Sequence, residues 1–278
     1  MRKDGRRVKN VEPMYAIIPY ILEKRYDSMN MIELDIPVAP IQEYLNRKRK
    51  EGQRMSHLGV VLAAYIRAAA EYPHVNRFIM NKKIYARNEF AVGMVVLKPG
   101  EADGTMSKMY FQMTDTIFDV HKTMNEYIET NRQAGENNAT DKLMRILLSI
   151  PGLCNVGVSI FKFMDKHGLL PYSIIKASPF HISLGITNLA SIRTNHIYHH
   201  LYEFGTTSVF VSMGNLREVP MRKQGEVVME RCIPLGIVTD ERICSGSYFA
   251  KVCHRIKHYL ANPELLEAPP AVVNKDEG

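Results

Sequence analysis

The sequence predicts an α/β fold: a mixed β-sheet flanked by helices, with the character of a two-layer sandwich. Three observations favour it. The 278 residues fit one large α/β domain or two small ones. The composition, 46% hydrophobic and 23% charged, suits a buried core and excludes global disorder. Apolar residues recur at helical spacing in some segments and alternate in others, so helices and strands follow one another along the chain.

Helix and strand signals can be followed in order through the N-terminal half. Ile32, Leu34 and Ile36 share one side of a predicted strand, and Pro40 suits the first turn of a helix. Ser56 is a plausible N-cap for the next helix. The predicted elements are a polar arm over 1–12, a helix over 13–22, a strand over 31–37, helices over 40–51 and 56–72, and strands around 84–85, 90–97 and 109–113.

The C-terminal half continues the same alternation. A helix is predicted over 116–130, a polar break over 133–140, and two helical stretches within 141–168, interrupted by Pro151 and Gly152. Strands are predicted over 182–189, 209–213, 226–230 and 233–238, with a hairpin turn at 222–225, and a last helix over 247–260. The chain is therefore divided into an N-terminal arm over 1–12, one domain over 13–266 and a flexible tail over 267–278.

The charge and the cysteine content limit the classes to which the protein can belong. The formal net charge is +7, with basic clusters in residues 2–9 and 47–50. These clusters are typical of solvated surface or of attraction to an anionic ligand, and no motif supports nucleic-acid binding. The sequence contains no run of 18 apolar residues, so no membrane span is predicted. The four cysteines show no C-x-x-C spacing and follow no secretion signal, which favours reduced thiols in a cytoplasmic protein.

One segment carries most of the functional information. Residues 240–246 read Asp-Glu-Arg-Ile-Cys-Ser-Gly and precede an apolar helix. Their spacing is similar to D-H-R-x-x-D-G, the signature of dihydrolipoamide acyltransferases, and to H-x-x-x-D-G of chloramphenicol acetyltransferases. Further similarities are Pro73-His74-Val75-Asn76, Ile186-Thr187-Asn188-Leu189 and the strand over 208–214. From about residue 13 to 266, the chain resembles the catalytic domain of the 2-oxoacid dehydrogenase complex acyltransferases.

The resemblance implies a chloramphenicol acetyltransferase-like fold, a homotrimer, and active sites at subunit boundaries reached by coenzyme A and an acyl acceptor from opposite sides. It places Glu241 where the family has its catalytic His and Ser245 where it has Asp. Thr187 stands at the position of the oxyanion-stabilising hydroxyl. Asn188, Arg242 and Gly246 would contact ligand. No covalently bound cofactor and no metal are expected; coenzyme A or acyl-coenzyme A is the expected ligand.

The replaced histidine decides the predicted activity. Acyl transfer needs a base near neutral pKa, and an ordinary glutamate, with a pKa of about 4.3, would have to be raised by burial. We therefore predict an acyltransferase-like protein that is catalytically inactive and keeps ligand binding. The predicted cleft is bordered by Thr187, Glu241 and Ser245 at a subunit boundary, and admits a pantetheine arm.

Alternatives remain at this point. An active acyl-coenzyme A acyltransferase could use Glu241 as its base, or one of His196, His199 and His200. These three histidines would share a helical face suited to Zn²⁺, but a fourth ligand is missing. Cys244 could act as a nucleophile if its pKa were lowered. A purely scaffolding subunit is the third class, without a docking segment to support it.

Overall fold

A computed structural model describes residues 2–97, 104–133, 145–146, 148–149 and 152–277. The predicted break at 133–140 and the first helical stretch of 141–168 lie largely outside these residues. The strands are β1 Gly5–Arg7, β2 Met29–Pro37, β3 Arg77–Met80, β4 Lys83–Arg87, β5 Phe90–Leu97, β6 Gly104–Phe111, β7 Leu184–Asn188, β8 Val209–Met213, β9 Arg217–Lys223 and β10 Glu226–Asp240. The helices are α1 Pro13–Ile21, α2 Val38–Lys50, α3 His57–Glu71, α4 Ile117–Gln133, α5 Leu153–Lys166, α6 Tyr172–Ala177 and α7 Gly246–Ala261.

A seven-stranded mixed sheet forms the centre of the molecule, which confirms the predicted fold class. Its order is β2-β10-β8-β7-β5-β6, with β9 paired to the first half of β10. The β5–β7 and β7–β8 pairs are parallel, and the other pairs are antiparallel. The two strands predicted over 226–230 and 233–238 are one strand, because at Cys232 β10 passes from its partner β9 to its partner β2 without a break.

Helices cover one face of this sheet. Ser56 caps α3 as predicted, since its hydroxyl accepts a hydrogen bond of 3.1 Å from the Gly59 N–H. The helix is alanine-rich and almost entirely buried between α7, α4 and the sheet. The core below it contains the fully buried side chains Ile41, Leu62, Ile66, Leu184, Ile186 and Leu235. Among the described helices, none is long and apolar enough to cross a membrane.

The opposite face of the sheet is covered in part by the irregular segment 193–204. Leu201 of this segment packs on Phe210 of β8 and Val238 of β10. Alternation along a strand turns odd and even residues to opposite faces, so every site residue on a strand can be assigned to the helix-covered face or to this second face.

The predicted polar arm contributes a strand to the structure. Gly5–Arg7 pairs with β4 in a separate three-stranded sheet of order β1-β4-β3. The buried Arg2 side chain pairs with Asp4 and Asp165, each with a nitrogen–oxygen distance of 2.5 Å. β1 could not be predicted from the sequence, because it has no apolar alternation of its own and is held by its backbone pairing with β4.

The tail predicted to be flexible lies along the domain. The Asn274 N–H donates to the Ala70 carbonyl at 2.9 Å. The Asp276 carboxylate accepts two hydrogen bonds of 2.6 Å from Arg77, and both side chains are buried. A buried bidentate ion pair therefore anchors this stretch of the segment that was expected to be flexible.

Candidate functional site

The signature loop starts from a buried ion pair. β10 ends at Asp240, whose carboxylate accepts hydrogen bonds from Arg242 Nε at 2.8 Å and Nη2 at 2.7 Å, and from Ser28 Oγ at 3.2 Å. Arg242 Nη1 donates to the carbonyls of Leu22 and Glu23. The guanidinium predicted to contact ligand therefore binds its own chain, and the pair holds the loop against the segment after α1.

A second guanidinium shares this carboxylate. Arg25 Nε lies 3.5 Å from Asp240 Oδ2, and both side chains are buried. Burial lowers the pKa of Arg25, and the charge of Asp240 opposes that shift. Arg25 also donates to the carbonyls of Tyr202 and Gly205, so Asp240 connects the signature loop, the segment before β2 and the segment 193–204.

Glu241 lies just beyond the strand end. Its N–H donates to the Ser28 carbonyl at 2.9 Å, and its Oε2 accepts a hydrogen bond of 2.9 Å from Asn30 Nδ2. The residue is half-buried. A carboxylate becomes an effective base for a thiol through burial without a partner. Glu241 has a hydrogen-bond donor beside it and contact with solvent, so the structure lacks that environment.

Ser245 acts as a helix cap. Its hydroxyl accepts a hydrogen bond of 3.1 Å from the Tyr248 N–H and lies 3.0 Å from Ser247 Oγ. Gly246 opens α7 with no described atom within 4 Å of the position a Cβ would take. Free space therefore borders the signature loop at this point.

Cys244 is excluded as a nucleophile. The residue is buried, and burial raises the pKa of its thiol to about 12. A reactive cysteine needs a lowered pKa, because the thiolate is the attacking species.

Thr187 lies at the opposite end of the sheet from this loop. It pairs with Ser212 of β8, which in turn pairs with Gly236 of β10. Glu241 follows Gly236 by five residues on a strand antiparallel to β7. At ~3.4 Å per residue, the two positions are separated by about 17 Å along the strands. Within one chain, therefore, the structure does not bring Thr187 together with Glu241 and Ser245.

Thr187 and Asn188 also face opposite sides of the sheet. Asn188 pairs with Met213, which belongs to the helix-side core, whereas Thr187 shares the second face with Ser212. A cavity of about 300 Å³ on the Asn188 side is lined by Ser56, His57, Leu58, Ser191 and Gly214, among others. Asn188 Oδ1 accepts from the Ser191 N–H at 3.3 Å and so caps the turn that follows β7.

His57 is a cavity residue that the sequence analysis missed. Its Nε2 is buried, and no hydrogen-bond partner reaches it from the described part of the chain. Burial lowers the pKa of His57, which favours the neutral imidazole. Its position directly after the N-cap Ser56 is the sequence signal that could have drawn attention to it.

Among the three histidines of residues 196–200, His196 has the geometry that is typical of a catalytic histidine. Its Nε2 lies 3.2 Å from Glu33 Oε2, while its Nδ1 is buried without a hydrogen-bond partner in the described ranges. The ring lies above Gly236, where a Cβ would come within 2.9 Å of His196 Cδ2. Glu33 of β2 pairs with Gly236 of β10. One row on the second face therefore runs across four strands and contains Glu33, Gly236, Ser212 and Thr187.

The other two histidines do not converge with it. His199 stacks on Phe210 with 4.0 Å between ring centroids, and its Nδ1 lies 2.8 Å from the His200 carbonyl. The prediction of a shared helical face is wrong, because the segment from residue 194 to 202 is irregular. Within the residues that the structure describes, no group of three His, Cys, Asp or Glu side chains could hold a metal ion.

The C-terminal part of the sequence matches a family of known proteins. Residues 183–268, which contain β7 and the signature loop, match the family described as 2-oxoacid dehydrogenases acyltransferase (catalytic domain). No curated protein matches the sequence.

Solved structures match nearly the whole chain. A probable dihydrolipoamide acetyltransferase from Listeria monocytogenes 4b F2365 superposes with a TM-score of 0.59 at 12% identity, covering 97% of this chain and 99% of that one. The cubic core of a pyruvate dehydrogenase multienzyme complex gives 0.60 at 11% identity, covering 93% of each chain. A chloramphenicol acetyltransferase gives 0.56 at 10% identity, covering 92% and 99%. At these identities the likeness shows the fold. The resemblance to the acyltransferase catalytic domain is thus confirmed: the chain has the fold of the dihydrolipoamide and chloramphenicol acetyltransferase cores, and residues 183–268 carry the 2-oxoacid dehydrogenase acyltransferase pattern.

Proposed function

We propose that this is a coenzyme A-dependent acyltransferase-like protein that binds its ligand but does not catalyse acyl transfer at the signature position. The environment of Glu241 carries the proposal. The carboxylate is half-buried and accepts a hydrogen bond from Asn30, so it lacks the buried, unpartnered environment that turns a carboxylate into a base for a thiol. Ser245 caps a helix and brings no charge to the loop. The frame of the loop, Asp240 and Arg242, is retained.

The site would be completed by a second copy of the chain in a homotrimer. Thr187 and Glu241 lie at opposite ends of one sheet, so one protomer cannot bring them to a common ligand. A contact between one end of a protomer and the other end of its neighbour is heterologous, and such contacts form a ring when a threefold rotation relates the protomers. The predicted cleft bordered by Thr187, Glu241 and Ser245 would lie at that boundary.

The proposed ligand is coenzyme A or an acyl-coenzyme A. The free space beside Gly246 and the cavity of about 300 Å³ beside Asn188 would give the two ends of a channel room for a thin chain. The net charge of +7 favours approach of a phosphorylated ligand. Without a base at position 241, the proton of an acceptor thiol or hydroxyl has no acceptor there, and the thioester stays intact.

Titration calorimetry with coenzyme A and acetyl-coenzyme A, followed by a thiol-release assay with varied acceptors, tests the proposal. We expect binding without thiol release above the uncatalysed rate, and sedimentation velocity should give a trimer. Thiol release by the unmodified protein that Glu241→Gln abolishes would establish a carboxylate base and overturn the proposal. A stable monomer at micromolar concentration would remove the shared cleft.

A second candidate function rests on the Glu33–His196 pair. A carboxylate bound to one imidazole nitrogen orients the ring and leaves the other nitrogen as the base. His196 Nδ1 would take the acceptor proton while the acceptor attacks the thioester carbonyl carbon. The carbon–sulfur bond then breaks, and the leaving sulfur receives that proton as the coenzyme A thiol. The Thr187 hydroxyl, on the same face of the sheet, would donate to the oxyanion.

Thiol-release assays on two histidine variants decide between the candidates. If His196 is the base, His196→Asn should lower thiol release by about 10²–10⁴-fold. His200→Asn is the matched control, because His200 is exposed in the same segment, and it should keep the full rate. Equal rates in both variants and the unmodified protein would exclude a base at His196.

A further inference from the structure

A further cavity is separate from the signature loop and from the row of residues that contains Thr187. Its volume is about 670 Å³. Its wall includes Asn76, Glu89, Phe90, Tyr110 and Phe111, so it combines aromatic and polar groups as small-molecule sites do. Residues 274–276 of the C-terminal segment also line this cavity, so the end of the chain forms part of its wall.

A carboxylate of the chain itself lies between this cavity and a buried guanidinium. Asp276 lines the cavity and Arg77 does not. Arg77 Nε and Nη2 each donate to one carboxylate oxygen of Asp276 at 2.6 Å. Arg77 is 8% exposed and Asp276 is 9% exposed, so the aspartate covers the arginine. This planar two-bond geometry is the one by which arginine recognises a carboxylate.

Two other basic groups lie beside Asp276. His74 Nε2 lies 3.8 Å from Asp276 Oδ1, and Arg6 donates to the Asp276 carbonyl. Two residues of the cavity wall also carry a buried polar atom without a hydrogen-bond partner in the described chain, namely Asn76 Oδ1 and Arg87 Nε. Arg87 Nε is a donor, so a carboxylate that reached it would satisfy a group whose burial without a partner costs free energy.

We propose that Arg77 and this cavity form a binding site for a carboxylate-bearing small molecule, and that Asp276 occupies its anion position. A buried arginine without a counter-ion is strongly unfavourable, so the segment leaves when another anion takes its place. The hydrogen bonds to the backbone of the segment or across to the domain include the Asn274 N–H to Ala70, Arg6 to the Asp276 carbonyl, and the Asn274 side chain to Glu71. Such local release requires less free energy than global unfolding. The site goes beyond the proposed acyltransferase-like function and does not depend on it.

Calorimetric titration of the full chain with succinate tests the site. Asp276→Asn removes the competing carboxylate, so succinate should bind about tenfold or more tightly than to the unmodified protein. Glu277→Gln is the matched control, because Glu277 is the exposed neighbour, and it should bind like the unmodified protein. Equal succinate affinity in all three proteins would overturn the proposal. Tighter binding of inorganic phosphate than of succinate to Asp276→Asn would overturn the carboxylate class.

A measurement on the unmodified protein covers the case in which Asp276→Asn unfolds. Saturating succinate should raise amide hydrogen exchange at residues 270–277 while exchange in α3 and β3 stays unchanged. Unchanged exchange of the segment at saturating succinate would show that the carboxylate does not displace it, and would defeat the proposal independently of any variant.

Discussion

Asp240 and Arg242 form a buried bidentate ion pair across two positions of the chain, with hydrogen bonds of 2.8 and 2.7 Å. Arg25 approaches the same carboxylate from the segment before β2. The pair therefore stabilises the loop whether or not the loop catalyses a reaction. The proposed loss of the base and of the second carboxylate at positions 241 and 245 would leave this structural role of Asp240 and Arg242 intact.

Asp240→Asn should lower the free energy of unfolding by about 3–5 kcal/mol, because two buried guanidinium groups lose their counter-ion. Urea denaturation measures the change. Glu241→Gln, at the next position, replaces a half-exposed carboxylate and should change stability by no more than about 0.5 kcal/mol. Similar losses in both variants would contradict the structural role given to Asp240.

Ser245→Ala should destabilise the protein by about 1 kcal/mol, since it removes the hydroxyl that accepts from the Tyr248 N–H. Thermal or urea unfolding would detect this. Ser245→Asp should keep the stability, because aspartate is also a good N-cap and its charge suits a helix N-terminus. Loss of stability in the aspartate variant would show that the loop cannot accept the family carboxylate.

Glu241→His alone should leave thiol release at its unmodified level, because Ser245 brings no carboxylate to orient the loop. The double variant with Ser245→Asp has the better prospect of acyl transfer. The thiol-release assay compares the two. Rapid transfer by the single variant would show that the loop is already in a competent geometry.

Gly236→Ala should destabilise the protein by about 1–3 kcal/mol. Its Cβ would come within 2.5 Å of the Ile197 carbonyl oxygen and would push against the His196 ring. Gly246→Ala is the control, since no described atom lies within 4 Å of its Cβ and alanine favours a helix. Denaturation of both variants checks the contrast; equal effects would mean that the segment over Gly236 yields freely.

Stability should rise with pH between about 7 and 9 because of Lys108. Burial, aided by the charge of Arg87, lowers its pKa to about 7, while the unfolded chain keeps the ordinary value of 10.5. In that window the unfolded state binds more protons, so raising the pH favours the folded state by up to about 1.4 kcal/mol per unit. Lys108→Met should flatten the dependence, and Lys122→Met, on an exposed lysine of α4, should preserve it. A parallel slope in Lys108→Met would rule out this residue.

Local signals in the sequence predict much of this fold. The Ser56 cap of α3 and the apolar spacing of α3 and α7 place both helices within about two residues, because each buries a continuous apolar face. The hydroxyl of Ser56 acts as predicted. Segments held by distant partners could not be found in this way. The tail is anchored through Arg77, 199 positions away in the chain, and no local pattern encodes that distance.

The candidate site shows the same difference between local signals, which could be predicted, and contacts to distant residues, which could not. The sequence locates Thr187, Glu241 and Ser245 in the strand and loop where the structure has them, because spacing to a strand end is a local property. It could not show that Arg242 binds the carbonyls of Leu22 and Glu23, 220 and 219 positions away. The pairing of Glu33 with His196 likewise depends on the order of strands in the sheet.

The placement of Thr187 and Glu241 at opposite ends of one sheet has a genetic consequence. If neighbouring copies share each site, a protomer defective at both ends disables the two sites that it touches, so a minority of faulty chains would inactivate a majority of sites in mixed rings. Protomers defective at different ends would, when co-assembled, regenerate some intact sites. Dominance and complementation between alleles would then follow from the antiparallel directions of β7, which carries Thr187, and β10, which leads to Glu241.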